Sequence, residues 1–192
     1  GIGVSVSGLA SAVADEGGLG VVSAVGIGML EPDFCSDHME ANLRALRREI
    51  RRARGLTQGV LGVNVMVALS EYEVYVKAAI EEGIDVVFAG AGLPMRLPEC
   101  LTPGATTKLV PIVSSARAAK ILCRRWTERY DYVPDAMVLE GPLAGGHLGF
   151  KREQIADPAY ALEKLVPETV GVLAAFEEAH GRSIPLIAAG GI

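Results

Sequence analysis

The most informative stretch of the chain is Met137-Val138-Leu139-Glu140-Gly141-Pro142-Leu143-Ala144-Gly145-Gly146-His147-Leu148-Gly149. It joins a short, continuously apolar run to a glycine-rich loop that carries one histidine. Continuous apolarity predicts a strand that is buried on both faces, as in a parallel sheet covered by helices. Glycines let backbone N–H groups approach a ligand closely, and histidine is the residue type whose side chain titrates nearest neutral pH. The stretch therefore predicts an α/β enzyme with its chemistry on the loop after this strand.

Similar apolar runs alternate with helical patterns along the whole chain. The predicted strands are residues 19–23, 60–67, 86–89, 109–113, 136–140 and 185–189. The predicted helices are residues 9–16, 38–54, 71–82, 116–129 and 167–180, with a capping box from Ser70 to Glu73. Pro167 is predicted to open its helix, because an interior proline removes a helical hydrogen bond. Residues 157–164 would then form a separate short element.

Six β units in a row predict either a doubly wound sheet or a (β/α)8 barrel. A complete barrel usually takes about 250 residues, whereas the chain has 192. On the barrel interpretation, we expect an incomplete TIM barrel that lacks its first strand and its last βα unit. No linker or low-complexity tract marks a boundary, so we expect a single domain over residues 1–192, truncated at both ends.

Composition argues against several classes of function. A net charge of -5 argues against a nucleic-acid partner, which needs a clustered basic surface. Five arginines between residues 44 and 52 fall on one helical face, which is typical of a solvated surface, with an anion site as the alternative. The three cysteines lack metal-ligand or CxxC spacing, so we expect free thiols in the cytoplasm and no metal. No apolar run approaches the length that would cross a bilayer.

Four motifs follow one another along the chain. They are GGLGVV at 17–22, GVN at 62–64, Glu140 followed by AGGH ending at His147, and IAAGGI at 187–192. Together they resemble the nitronate monooxygenase family, formerly called 2-nitropropane dioxygenases, which also contains the FMN-dependent enoyl-acyl-carrier-protein reductases. The resemblance spans nearly the whole chain. It implies a TIM-barrel domain that holds FMN non-covalently at its C-terminal face.

The resemblance also implies roles for individual residues. His147 matches the histidine to which catalysis is assigned. The implied cofactor-binding residues are Asn64, Glu140, Gly145, Gly146, Gly190 and Gly191. Of these, Asn64 would contact the flavin, Gly145 would approach it with its backbone, and the diglycine would start the phosphate site. Glu140 stands where many relatives have glutamine, and it would contact the ligand or orient a backbone N–H or His147.

The residues alone leave alternatives open at these positions. Asn64 sits in a run of valines, where pairing of its amide with the backbone is the structural alternative. The diglycine at 190–191 could form a tight turn. The segment 93–101 either forms an apolar wall over the substrate side of the flavin, through Leu93, Met95, Leu97 and Pro98, or packs as a loop.

A flavin oxidoreductase is the function that the resemblance implies, in one of two versions, and a third interpretation belongs to another class of protein. In the leading version, an alkyl nitronate or a similar small carbon acid binds over FMN, His147 acts as base or as hydrogen-bond donor to the nitro group, and electrons pass to FMN and then to dioxygen. In the alternative, NADH or NADPH reduces FMN, which passes hydride to an enoyl thioester. A third interpretation is a non-catalytic barrel that binds a phosphate ligand. The sequence leaves a homodimer open.

Overall fold

The computed structural model describes residues 2–69 and 71–191. These residues form two compact units. The first unit comprises Gly1–Phe88 and Cys100–Lys108, and the second comprises Ala89–Glu99 and Leu109–Ile192. Ser70, the first residue of the predicted capping box, lies outside the described residues.

In the first unit, helices and strands alternate. Its elements are α1 (Ser7–Asp15), β1 (Gly20–Ser23), α2 (His38–Leu56), β2 (Leu61–Met66), α3 (Tyr72–Glu81) and the first residues of β3 (Val86–Gly90). The strands are neighbours in chain order, and β1 runs parallel to β2 with Ser23 opposite Asn64. The core of this unit is aliphatic, with Leu46, Leu61 and Val63 fully buried.

The basic helix α2 has one buried and one solvated face. Asp37 caps its first turn by accepting a hydrogen bond from the Glu40 N–H at 3.0 Å. Ala45, Leu46 and Ile50 are buried, whereas the arginines pair with acidic side chains. The recorded pairs are Arg44 with Asp33, Arg47 with Glu81 and Glu82, Arg48 with Glu31, and Arg51 with Glu82. The prediction of a solvated face is confirmed.

The second unit contains the end of β3 and the remaining elements. These are β4 (Lys108–Val113), α4 (Ala116–Tyr130), β5 (Met137–Glu140), α5 (Leu162–His180) and β6 (Leu186–Ala189), with 3₁₀ turns at Arg152–Gln154 and Pro158–Tyr160. The strands again follow chain order, and β5 runs parallel to both β4 and β6. Trp126 is fully buried, and its indole N–H donates to the Pro94 carbonyl oxygen at 3.0 Å.

The predicted start of the last helix is wrong. α5 begins at Leu162 and contains Pro167 as its sixth residue. The first four N–H groups of any helix lack an intrahelical acceptor, so a proline in the second turn removes only one further bond. Leu165, Thr169 and Leu173 are buried at a spacing of four residues on both sides of the proline. Burial of this continuous face outweighs the lost hydrogen bond.

Burial on both faces holds for most of the predicted strands, and β6 departs from it. All five residues of β3 are buried, but Ile187 in β6 is 43% exposed. β6 is last in the strand order, so only β5 lies beside it among the described residues. Within each unit the strand order shows no switch point of the kind that defines a doubly wound sheet. An α/β fold with parallel strands is therefore confirmed.

Two negative predictions can be compared with the described residues. All three cysteines are free thiols there, with Cys35 exposed and Cys100 and Cys123 buried. Burial raises the pKa of the Cys123 thiol to about 12. In residues 2–69 and 71–191, no helix combines the length and the apolar character that crossing a bilayer requires.

Candidate functional site

A cleft of about 360 Å³ lies at the carboxyl ends of the strands of the second unit. Its lining residues follow β3, lie at or after the end of β4, begin α4, end β5 or belong to the loop after β5. They are Ala91, Gly92, Leu93, Ile112, Val113, Ser114, Ala118, Glu140, His147, Leu148 and Gly149. Ligand pockets typically occupy roughly 300–1,000 Å³, and parallel sheets bind ligands outside the carboxyl ends of their strands. The cleft is therefore the candidate active site.

His147 lies on the wall of this cleft, as the sequence predicts. It sits on the loop after β5, and its side chain is exposed. Among the described residues, none is recorded as a hydrogen-bond or ion-pair partner of its imidazole. Both ring nitrogens are consequently available to a ligand in the cleft.

Glu140 is the second titratable group that lines the cleft. It ends β5 and is half-buried, and burial raises the pKa of its carboxyl above the ordinary glutamate value. No described residue is recorded as a hydrogen-bond or ion-pair partner of this carboxyl. A carboxyl that retains its proton can donate a hydrogen bond, which an ionised one cannot. The burial of Glu140 therefore favours the form of its carboxyl that can donate a hydrogen bond.

The glycine-rich loop between these two residues opens to solvent. Gly145 and Gly146 are exposed, and a Cβ added at either position would meet no atom within 4 Å. Gly146 has a φ of +87°, a region that favours glycine. The backbone of this loop therefore leaves open space that a ligand could enter.

A second cavity, of about 330 Å³, contains the predicted diglycine. Gly190 and Gly191 have φ values of +84° and +103°, and Cβ atoms there would lie 2.7 Å from the Ala144 Cβ and 2.6 Å from the Leu143 Cβ. A side chain at either position would clash with the loop after β5 and would be strained by the positive φ. This fits the alternative in which the diglycine forms a tight turn. Their N–H groups have no recorded acceptor among the described residues, so they can also serve an anion.

The charges around this second cavity are acidic. Asp157 and Glu163 contribute to its lining, and none of its lining residues is lysine or arginine. An anionic group bound there would consequently be held by backbone N–H groups rather than by a basic side chain.

Asn64 lies in the first unit, on β2. Its carbonyl oxygen accepts a hydrogen bond from the Ala24 N–H at 3.0 Å, which continues the pairing of β1 with β2. Its side chain is on the same strand face as Gly62, where a Cβ would touch Phe88. No hydrogen bond of its amide is recorded within the described part of the chain. The amide is therefore not engaged by the backbone there.

For the segment 93–101 after β3, the sequence leaves two alternatives, an apolar wall of the site or a packed loop, and the structure shows part of each. Leu93 is 37% exposed and lines the cleft, whereas Leu97 is fully buried and packs as part of the core. The apolar wall is thus reduced to the part of the segment nearest the strand.

A family model for nitronate monooxygenases matches residues 1–192. The chain belongs to the nitronate monooxygenase family. Members of this family are flavin-dependent oxidoreductases. No curated protein sequence matches the chain significantly.

Solved structures resemble this member of the nitronate monooxygenase family over nearly all of its residues. FabK from Thermotoga maritima is 30% identical, with a TM-score of 0.69, over 98% of this chain and 48% of that chain. A nitroalkane oxidase from Streptomyces ansochromogenes is 24% identical, with a TM-score of 0.72, over 99% of this chain and 56% of that chain, and this second likeness concerns the fold alone. The chain spans about half the length of these relatives.

Two residues of the cleft in this nitronate monooxygenase family member were not predicted. Ser114 follows β4 directly and faces the same cleft as His147. Ala91 follows β3 with a φ of +53°, a conformation that is costly for a residue with a Cβ and that clusters at ligand sites. A sequence signal existed for both, because each is the first or second residue after a predicted strand, where parallel α/β enzymes place their chemistry.

Proposed function

We propose that this chain carries the active site of an FMN-dependent oxidoreductase that oxidises alkyl nitronates with dioxygen. The observation that carries the proposal is the joint placement of His147 and Glu140 on one cleft at strand carboxyl ends, in a chain that matches the family over all its residues. The parallel strands in chain order support a (β/α)8 barrel as the complete architecture. The free thiols favour a cytoplasmic location.

The residues of the second unit fit an FMN molecule in their chemistry. The bare N–H groups of Gly190 and Gly191 can hold a phosphate, and the open backbone at Gly145 and Gly146 admits a flat ring. Glu140, in its protonated form, would donate to a ring heteroatom. Asn64 lies in the first unit, and its amide contact with the flavin is proposed from the family resemblance alone. When bound, FMN supplies the electron-accepting chemistry that amino-acid side chains lack.

The residues of the chain would handle the proton and the orientation of the substrate. His147 has no recorded partner among the described residues, so it can donate a hydrogen bond to an oxygen of the nitronate, or accept the α-proton when the parent nitroalkane is the molecule that binds. Leu93, Ile112 and Leu148 line the same cleft and would shield the reacting carbon from water. The cleft thus combines one exposed base with an apolar wall.

Reduction of an enoyl thioester by NADH or NADPH is the second candidate. It is favoured by the 30% identity to FabK over 98% of the chain, since FabK is an enoyl-acyl-carrier-protein reductase of this family. In that reaction His147 would serve the same purpose, by donating a proton or a hydrogen bond at the thioester.

The visible spectrum of the intact protein tests the cofactor, and anaerobic reduction then separates the two reactions. We expect a yellow preparation whose flavin absorbance bleaches on addition of an alkyl nitronate in the absence of oxygen. Bleaching by NADH or NADPH instead would favour the enoyl reductase. A colourless protein that takes up no FMN would contradict both candidates and leave the non-catalytic phosphate-binding barrel.

A further inference from the structure

The loop that carries His147 has few polar attachments to the rest of the second unit. From Gly145 to Gly149, a single hydrogen bond is recorded among the described residues: the Ser114 hydroxyl donates to the Gly149 carbonyl oxygen at 3.4 Å. Just beyond, the ring of Phe150 packs edge-on against Tyr160, with 6.1 Å between centroids. The polar tether of this loop therefore comes from one side chain at the carboxyl end of β4.

The contact between Ser114 and Gly149 is also close. A Cβ added at Gly149 would lie 2.2 Å from the Ser114 Oγ and 2.9 Å from the Ser114 Cβ. Residue 149 must consequently lack a side chain for the serine to reach its carbonyl. Both residues line the cleft, and His147 is only two residues away along the chain.

We propose that Ser114 is a positioning residue for His147, whose loop it holds at the cleft through the Gly149 carbonyl. A base that must meet a reacting atom loses rate when its loop samples other positions, because orientation is part of the barrier. The proposal rests on the proposed function where turnover is concerned, whereas the order of the loop can be measured without it.

Backbone order parameters from NMR relaxation of the intact, FMN-treated protein test the tether directly. Ser114→Ala retains the Cβ and removes the donor, so we expect the order parameters of residues 146–149 to fall from about 0.85, typical of rigid backbone, to below about 0.6. Ser114→Thr keeps a hydroxyl and should restore the higher values. Unchanged order parameters in Ser114→Ala overturn the proposal.

The neighbouring serine provides a matched control. Ser115 accepts a hydrogen bond from the Ala118 N–H at 3.2 Å and thereby caps α4. Ser115→Ala deletes the same hydroxyl one residue later, so it should lower the stability of the helix and leave the order parameters of residues 146–149 unchanged. A fall in these order parameters in this variant as well would mean that general loosening, not the tether, is being measured, and it would overturn the proposal.

Turnover in the flavin-loaded protein tests the consequence for His147. With an alkyl nitronate, or with NADPH and an enoyl thioester, Ser114→Ala should lower kcat about fivefold and change KM less than about twofold, and Ser114→Thr should recover kcat. Lower loop order parameters with unchanged kcat would overturn the positioning role. If wild-type protein turns over none of these substrates while the loop responds to Ser114→Ala, the proposed function fails and the tether stands.

A double variant separates the hydrogen bond from crowding. Gly149→Ala in a Ser114→Gly background removes both the clash and the donor. We expect its thermal stability to match that of Ser114→Gly and its loop order parameters to match those of Ser114→Ala. Wild-type order parameters in the double variant would show that close packing orders the loop without the serine hydroxyl, and the proposal would be wrong.

Discussion

At the scale of single residues, the cleft combines two titratable groups with opposite surroundings. The imidazole of His147 is exposed, whereas the carboxyl of Glu140 is half-buried, and neither has a recorded partner among the described residues. A pair of this kind can divide its tasks, with one group exchanging protons with the substrate and the other holding its proton for a hydrogen bond.

Replacement of His147 by alanine tests the first task. We expect flavin absorbance to be retained and kcat to fall at least about tenfold, because positioned proton transfer commonly contributes about 10²–10⁴-fold. His38, an exposed residue at the start of α2, supplies the control, and His38→Ala should leave turnover unchanged. Wild-type kcat in His147→Ala would remove this residue from the mechanism.

Glu140→Gln tests the second task through stability. Burial raises the pKa of Glu140, so the folded protein holds this proton at pH values at which the unfolded chain has released it. The stability that Glu140 contributes is therefore present below the ordinary glutamate pKa and is lost as the pH rises through the raised value. A glutamine escapes this loss, so Glu140→Gln should gain thermal stability relative to wild type as the pH rises. A difference in melting temperature that is the same in acid and at neutral pH would contradict the cause.

At the scale of elements, sequence periodicity was sufficient for the strands and insufficient for one helix. Each of the six predicted strands occurs with its ends shifted by at most one residue, because continuous apolar runs bounded by glycine, proline or charge have few other ways to be buried. α5 could not be delimited in the same way. Local chemistry favours a break at Pro167, and only the tertiary burial of Leu165 shows that the helix already begins before it.

For the candidate site, too, local sequence patterns were sufficient for some residues, whereas others depend on tertiary contacts. Glu140 could be predicted because it ends an apolar run, His147 because it lies on the glycine-rich loop after that run, and Gly190 and Gly191 because a diglycine follows another run. The position of Ser114 directly after a strand could be read from the sequence, but its contact with Gly149 could not, since that contact joins residues 35 positions apart. Contacts of that kind depend on strand register, which an isolated sequence does not specify.

One aspartate joins neighbouring elements at the start of β5. Asp135 accepts a hydrogen bond from the Leu109 N–H at 2.9 Å, a second from the Tyr132 hydroxyl, and pairs with Arg182 at 3.4 Å. Burial, followed by this contact with Asp135, raises the pKa of Tyr132. Asp135→Ala leaves these donors without their acceptor.

We expect Asp135→Ala to lower the free energy of unfolding by about 3 kcal/mol, as is typical when buried donors lose their acceptor. Asp135→Asn retains one oxygen and should lose roughly half as much. Urea denaturation with an unchanged m-value is the measurement. A loss below about 1 kcal/mol in the alanine variant would show that water replaces the carboxylate.

At the scale of the whole molecule, the two units differ in what they carry. Both described cavities are lined by residues of the second unit, whereas the arginine-glutamate pairs of α2 and α3 belong to the first. Hydrogen bonds from Arg51 and Arg47 hold the pKa of Glu82 below its usual value of 4.5. The stability that Glu82 contributes is therefore present above the ordinary glutamate pKa and is lost as the pH falls through the lowered one.

Protonation of Glu82 in acid should accordingly lower the local stability of α2 and α3 in the first unit. We expect amide exchange in α2 and α3 to accelerate as the pH is lowered below about 4.5, after correction for the intrinsic pH dependence of exchange. Glu82→Gln should already show the faster exchange at neutral pH and respond less to acid. Identical acid responses of wild type and Glu82→Gln would contradict the assignment to this carboxylate.

The hydrogen bond between Asp135 and the start of the preceding strand has a counterpart in the other unit. There Asp85 accepts a hydrogen bond from the Leu61 N–H at 2.8 Å and forms an ion pair with Arg54. In each case an aspartate just before one strand holds the first residues of the preceding strand. Both sets of hydrogen bonds lie at the amino ends of strands, away from the loops that line the cavities. The loops can therefore change in sequence for a new substrate while these hydrogen bonds keep the strands in register. A library of loop variants should preserve the fold as long as both aspartates are kept.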